Sequence, residues 1–164
     1  MRLRTAVLTL TTLIFATQAS AQWMAKVEDD IFSGGKKAML IGEVDNFHAF
    51  VFDCDAESLT FALIGKSAKG DSAAKVAASL IVKVDQGQIQ RFVATTSQRN
   101  DTHWQALTSD REQILNILTQ IRDAESGIQI GVQVPDIDFK WSGVASPAGS
   151  TKETDRFVAA CKLK

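Results

Sequence analysis

The stretch Phe47-His-Ala-Phe-Val-Phe-Asp-Cys-Asp55, followed after Ala56-Glu57 by Ser58-Leu-Thr-Phe-Ala-Leu-Ile64, decides the fold class. Phe50, Phe52 and Cys54 recur at every second position of the first run, and Leu59, Phe61 and Leu63 do so in the second. That period belongs to a strand with one buried face, because successive side chains of a pleated strand point to opposite sides. The short connection between the runs makes them an antiparallel hairpin. Asp53, Asp55 and Glu57 gather at its turn. Clustered carboxylates can serve acid–base chemistry or bind calcium. This turn has no glycine at the kink and too few oxygen ligands, so a solvated turn accounts for it better.

The same pattern continues on both sides. Ala38–Val44 reads as a strand and Asp45-Asn46 as a turn. Gly65–Lys75 has no apolar periodicity and reads as a loop. Val76, Ala78, Leu80, Val82 and Val84 alternate with more polar neighbours, and Gln86-Gly87 suits a hairpin turn into Gln88–Thr95. Ser97–Thr102 reads as a polar connection and Trp104–Leu107 as a short strand. Ser109-Asp-Arg-Glu112 has the spacing of a capping box. Ile114, Leu115, Ile117, Leu118 and Ile121 follow it at helical intervals. Ile128, Ile130, Val132 and Val134 then form one face of a strand, and after Pro135 the trio Ile137, Phe139 and Trp141 predicts another. Ser142–Gly149 is a loop, and Ser150-Thr-Lys-Glu153 is a second capping box. It opens a helix whose apolar side carries Thr154, Phe157, Val158 and Cys161. The order predicts an α+β fold: a mostly antiparallel sheet of about seven strands, one central helix and one C-terminal helix.

The first 21 residues carry no fold signal. Arg2 and Arg4 precede an uncharged run, Ala6–Ala16, and Ala19-Ser-Ala21 is the small-x-small pattern of a signal-peptidase site. The run is shorter than the roughly 20 residues a spanning helix needs. The expected organisation is a signal peptide over 1–21 and one domain over 22–164, exported to the periplasm or beyond, with no membrane span after cleavage. Of 164 residues, 143 then stay, and losing Arg2 and Arg4 takes the formal charge from −1 to −3. So weak a charge excludes strong electrostatic attraction to nucleic acid or anionic membrane. Apolar residues at 45% and charged ones at 23% exclude a disordered chain.

Export changes how the two cysteines read, since thiols usually pair in an oxidising compartment. Cys54 and Cys161 both sit on apolar faces, so both sulfurs aim at the core. They are 107 positions apart (161 − 54). Closing a loop of that length is worth about 4–5 kcal/mol in the chain-entropy model. Two free thiols or a redox pair are the alternatives, although the Cys-x-x-Cys spacing of a redox pair is absent.

Several short matches to catalytic motifs are weighed and set aside. Gly65-Lys-Ser67 ends like a phosphate-binding loop, but Thr60 stands where the first glycine belongs. Ser72-Ala-Ala-Lys75 matches Ser-x-x-Lys without its partner motifs. Gly70-Asp-Ser72 resembles a small esterase family, yet no histidine follows His103. His48 and His103 are too few for a zinc site once both cysteines are oxidised. No cofactor and no metal are expected. Trp104, in a polar neighbourhood, is either a core residue or the mark of a contact surface. Trp23 is expected to pin the start of the exported chain to the body, and Trp141 to be core.

Taken together, these elements resemble the VasI-like family of exported proteins associated with type VI secretion. The matching features are a leader, then Trp23 and the acidic pair Asp29-Asp30; a strand ending in cysteine, Phe50-Val-Phe-Asp-Cys54; and Trp104 ahead of the central helix. They end with Phe139-Lys-Trp-Ser-Gly143 and Phe157-Val-Ala-Ala-Cys161. The family usually carries an arginine just before its first cysteine, where this chain has Asp53. The resemblance implies a periplasmic accessory or binding role with no catalytic residues to carry over. The expectation is a non-enzymatic protein that binds another envelope protein, with Trp104, Lys66, Lys69 and Asp71 as its contact surface. Its alternatives are an inhibitor or sensor of an envelope enzyme such as lysozyme, using Gly65–Lys75 as a plug, and a small hydrolase using Asp53, Asp55 or His103.

Overall fold

The computed structural model describes residues 22–68 and 73–163. Residues 1–21, where a leader is expected, and Lys69 to Ser72 with the Gly70-Asp-Ser72 motif, lie outside the described residues. The elements are β1 (Trp23–Asp30), β2 (Gly35–Glu43), β3 (His48–Cys54), β4 (Leu59–Lys66), β5 (Ala77–Val84), β6 (Gln90–Asn100) and β7 (His103–Thr108). Helix α1 (Arg111–Arg122), β8 (Ile128–Val134), a 3₁₀ turn (Pro135–Ile137), β9 (Phe139–Ala145) and helix α2 (Ser150–Ala160) complete the order. The nine strands form one sheet in the order β1-β2-β3-β4-β7-β6-β5-β8-β9, and every neighbouring pair is antiparallel.

The sheet curls into a half-barrel around one core. Its two edges approach each other: Trp23 Nε1 donates to Ser146 O at 2.8 Å, and Ser146 N donates to Gln22 Oε1 at 2.9 Å. Inside run the alternating residues read from the sequence. Phe50, Phe52, Phe61, Leu63, Leu80, Val82, Ile128 and Ile130 are all essentially inaccessible. Phe52 stacks on Phe61 with centroids 4.5 Å apart, and Phe61 meets the edge of Phe92 at 5.4 Å. Helix α1 closes the concavity with Ile114, Ile117, Leu118 and Ile121, and α2 adds Phe157. Cys54 and Cys161 are joined by a disulfide, Cα–Cα 6.2 Å, which fastens the end of α2 to the end of β3.

Several expectations change. The sheet has nine strands, not about seven: the strands read one by one from the sequence number eight, and β1 is the ninth. Lys26, Glu28, Asp29 and Asp30 hide its pattern, while Trp23 and Ala25 are buried on its inner side. Strand β4 runs on through Gly65 and Lys66, and β6 runs to Asn100 with an irregularity between Gln98 and Asn100. The cap of α1 is Asp110, not Ser109, and its carboxylate accepts from Gln113 N at 3.1 Å. Helix α2 has no side-chain cap: Gly149 precedes it with φ +90°, and Ser150 is buried inside its first turn. Ile137 is not on the strand face. Pro135 has no N–H to give a ladder, a 3₁₀ turn forms instead, and Ile137 is 68% exposed. Asp138 then takes a left-handed conformation, φ 47°, and β9 restarts at Phe139 with Trp141 directed inward as expected.

Candidate binding surface

One end of the curled sheet is aromatic. His48 opens β3, Trp104 lies near the start of β7, and Phe139 and Trp141 occupy the first half of β9. The ladder sets His48 beside Gly65 and Gly65 beside Trp104, so these residues share the inner face. The curl brings β9 over them. The His48 imidazole stacks on Trp141 at 3.9 Å and 27°, and Trp104 meets Phe139 edge to face at 6.2 Å. Glycine makes this fit possible. A Cβ on Gly65 would stand 2.5 Å from the Trp104 indole, and one on Gly143 would stand 2.5 Å from Val44.

His48 is held in place rather than free. Its Nδ1 lies 3.0 Å from both carboxylate oxygens of Asp45. Asp45 Oδ1 also accepts from Phe47 N at 2.7 Å and His48 N at 2.9 Å. Burial pushes the Asp45 carboxyl upward, but the Phe47 amide and the His48 ring outweigh it and hold the group below the usual carboxylate range. This carboxylate fixes the β2–β3 turn and the ring that supports Trp141.

Beside the cluster lies a cleft of about 300 Å³ walled by Trp104, Phe139, Ile137, Val134 and Val76. Thr96 is the hydroxyl-bearing residue of its wall, and that hydroxyl is already occupied. It donates to Ala74 O at 2.6 Å and accepts from Val76 N at 3.1 Å. The cleft therefore presents mainly hydrocarbon and aromatic surface with its one hydroxyl satisfied, which suits an apolar side chain better than a charged group. Lys66 stands at the same end of the sheet, exposed, with Nζ 5.5 Å from the centre of the exposed Phe47 ring.

Of the residues expected to form a contact surface, Trp104 is half-buried on the inner face, whereas Lys66, one position beyond Gly65 in β4, is exposed on the opposite face. Lys69 and Asp71 lie outside the described residues. Sequence reading missed Phe139, Ile137 and His48 as neighbours of Trp104. Its available hint was the apolar trio Ile137, Phe139 and Trp141, spaced by two after Pro135.

The carboxylates and histidines weighed for catalysis do not gather at one place: Asp53 and Asp55 lie at one end of the sheet and His48 and His103 at the other. Asp53 pairs with Arg99 at 2.9 Å across the two strands between β3 and β6. Asp55 accepts from Glu57 N and Ser58 N at 2.9 and 2.8 Å, which closes the β3–β4 turn and holds its carboxyl below the ordinary range. Asp53 and Asp55 border one depression with Lys26, Glu28 and Lys37. His103 is at the other end of the sheet, 2.9 Å from the Thr102 hydroxyl. Among the described residues no three His, Cys, Asp or Glu side chains converge in a way that could hold a metal ion, and no helix is long and apolar enough to cross a membrane. Comparisons with protein-family models, curated proteins and solved structures give no match.

Proposed function

We propose that this chain is an exported, non-enzymatic accessory or binding protein of the cell envelope, of the VasI-like kind associated with type VI secretion. Its partner is another envelope protein, and the contact is the cleft between Trp104 and Phe139. The observation that carries this reading is the chemistry of the cleft. Its walls are aromatic and aliphatic, and the Thr96 hydroxyl is already bonded, so it offers a desolvated seat for an apolar anchor of the kind that dominates protein interfaces. The Cys54–Cys161 bond supports export, because such bonds persist where thiols are not kept reduced.

The experiment is a cross-linked pull-down from periplasm with the wild-type chain, Trp104→Ala and Ile137→Lys, at matched thermal stability. A specific partner is recovered by the wild type and weakened about 10-fold or more by either substitution. Equal recovery by all three places the contact elsewhere, and no partner above background under several conditions sinks the reading. A parallel lysozyme inhibition assay separates an enzyme inhibitor from an accessory protein.

A further inference from the structure

A second feature lies at the other end of strands β2–β4, away from the aromatic cleft. Strand β3 pairs with β2 only from Ala38 onward. The pairs Glu28–Lys37, Asp29–Lys36 and Asp30–Gly35 of β1 and β2 therefore have no third strand beside β2. At about 3.3 Å per residue this two-stranded ribbon projects roughly 10 Å beyond β3. Its tip carries Ile31, 84% exposed, and Phe32, 95% exposed. Nothing in the fold uses these side chains.

The turn at the tip is closed by its own hydrogen bonds, which engage several of its donors. Asp30 Oδ1 accepts from Phe32 N at 3.1 Å, and Asp30 Oδ2 accepts from the Ser33 hydroxyl. Gly34 N donates to Asp30 O at 2.9 Å, with φ +70° at Gly34, and Gly35 N donates to Ser33 Oγ at 3.2 Å. Backbone groups paired in this way lose little on leaving water, which is the condition for entering an apolar medium. Behind the tip stands a collar in which Lys36 pairs with Asp29 at 2.6 Å, and Lys37 and Lys26 pair with Glu28 at 3.3 and 2.6 Å; its three lysines face two carboxylates, and Asp30 of the tip brings the formal sum to zero. Lysine stems of this length can lie along an apolar boundary with their ammonium groups in water.

We propose that Ile31 and Phe32 insert shallowly and reversibly into the interfacial layer of a lipid bilayer. Scale favours a lipid surface over a protein pocket. A stable protein interface takes roughly 800 Å² from each partner, which a two-residue tip cannot supply, whereas interfacial insertion needs only the apolar side chains and a satisfied backbone. The association is weak. A whole myristoyl chain gives a constant of about 10⁴ M⁻¹, so two side chains reach half-binding at lipid concentrations on the order of millimolar. Because the tip and collar together, Asp30 included, are formally neutral, anionic lipid adds little.

The test is co-sedimentation of the purified protein with phosphatidylcholine vesicles, and with phosphatidylcholine–phosphatidylglycerol vesicles at equal total lipid. The wild type sediments with both to a similar extent. Phe32→Ser lowers the bound fraction about 10-fold, and Phe32→Trp raises it, since tryptophan favours the membrane interface. Unchanged circular dichroism shows that the variants fold. The proposal is overturned if the wild type stays in solution at millimolar lipid, if Phe32→Ser binds equally well, or if binding requires phosphatidylglycerol. It is also overturned if sedimentation velocity without lipid shows a dimer that Phe32→Ser abolishes, which makes the tip a protein contact. The cleft variants Trp104→Ala and Ile137→Lys leave vesicle binding unchanged, so this test stands apart from the partner experiment.

Discussion

Trp104 and Gly65 face each other across the β4–β7 ladder, and the indole lies so close over the glycine that a Cβ there would stand 2.5 Å from the ring. The glycine is needed for the absence of a side chain. Gly65→Ala must displace the indole, and overpacking of this kind costs about 1–3 kcal/mol. Urea denaturation with tryptophan fluorescence measures both consequences: a lower midpoint and a shifted emission spectrum of the folded state. An unchanged midpoint would mean that the indole has another place to go.

The Cys54–Cys161 bond closes a loop of sequence separation 107 that takes in every element after β3. Its loss, in Cys54→Ala with Cys161→Ala or by reductant, is expected to cost about 2–5 kcal/mol. Intact-mass measurement with and without reductant shows the two-hydrogen difference. Free-thiol labelling of the unreduced, unfolded protein would contradict the pairing.

Asp85 ties the start of the β5–β6 turn to the segment after α1. Its carboxylate accepts from Glu125 N at 2.9 Å, Ser126 N at 2.7 Å, the Ser126 hydroxyl at 2.7 Å and Gly127 N at 2.9 Å. Those bonds, the Glu125 amide foremost, hold its carboxyl far below the usual aspartate range. A depressed folded value means that the stabilisation is complete above the unfolded value near pH 4 and drains away as pH falls below it. Asp85→Ala removes the acceptor and is expected to cost about 1–3 kcal/mol at neutral pH. The difference from wild type should narrow in acid, and a difference constant down to pH 2 would contradict the assignment.

Glu153 of α2 accepts from Ala25 N of edge strand β1 at 3.0 Å. This bond, helped by Lys152 and Arg156 and opposed by burial, holds the carboxyl below its ordinary value. Glu153→Ala leaves a buried amide without a partner, at about 1–3 kcal/mol. Glu153→Gln keeps an acceptor and should lose less. Amide exchange at Ala25 reads the same bond directly: faster in the alanine variant, nearly unchanged in the glutamine one.

The strands legible in the sequence are those whose buried face is written locally. Phe50, Phe52 and Cys54, or Ile128 to Val134, need only their own alternation to be recognised, and the stripe from Ile114 to Ile121 needs only helical spacing. Strand β1 is different. Its outer side is charged, and its inner side is buried because β2 and α2 meet it, the latter from more than a hundred residues away. The ends of elements were misjudged where chemistry one residue apart competes. Asp110 beside Ser109 is the nearer acceptor for Gln113 N, and Pro135 diverts Ile137 into a turn. The aromatic cleft was legible only through Trp104. Phe139 joins it, and Trp141 reaches the neighbouring His48, because the sheet curls, and no local pattern records a curl.

Helix α2 covers the free edge of β1, and it is made of residues that leave the ribosome last among those described. Until they arrive, β1 presents open backbone groups to any neighbouring chain, and an uncovered edge invites pairing between molecules. The interval between synthesis of β1 and docking of α2 is thus the dangerous period in the life of this protein. The bond from Cys161 to Cys54 then tethers α2 to the sheet it covers.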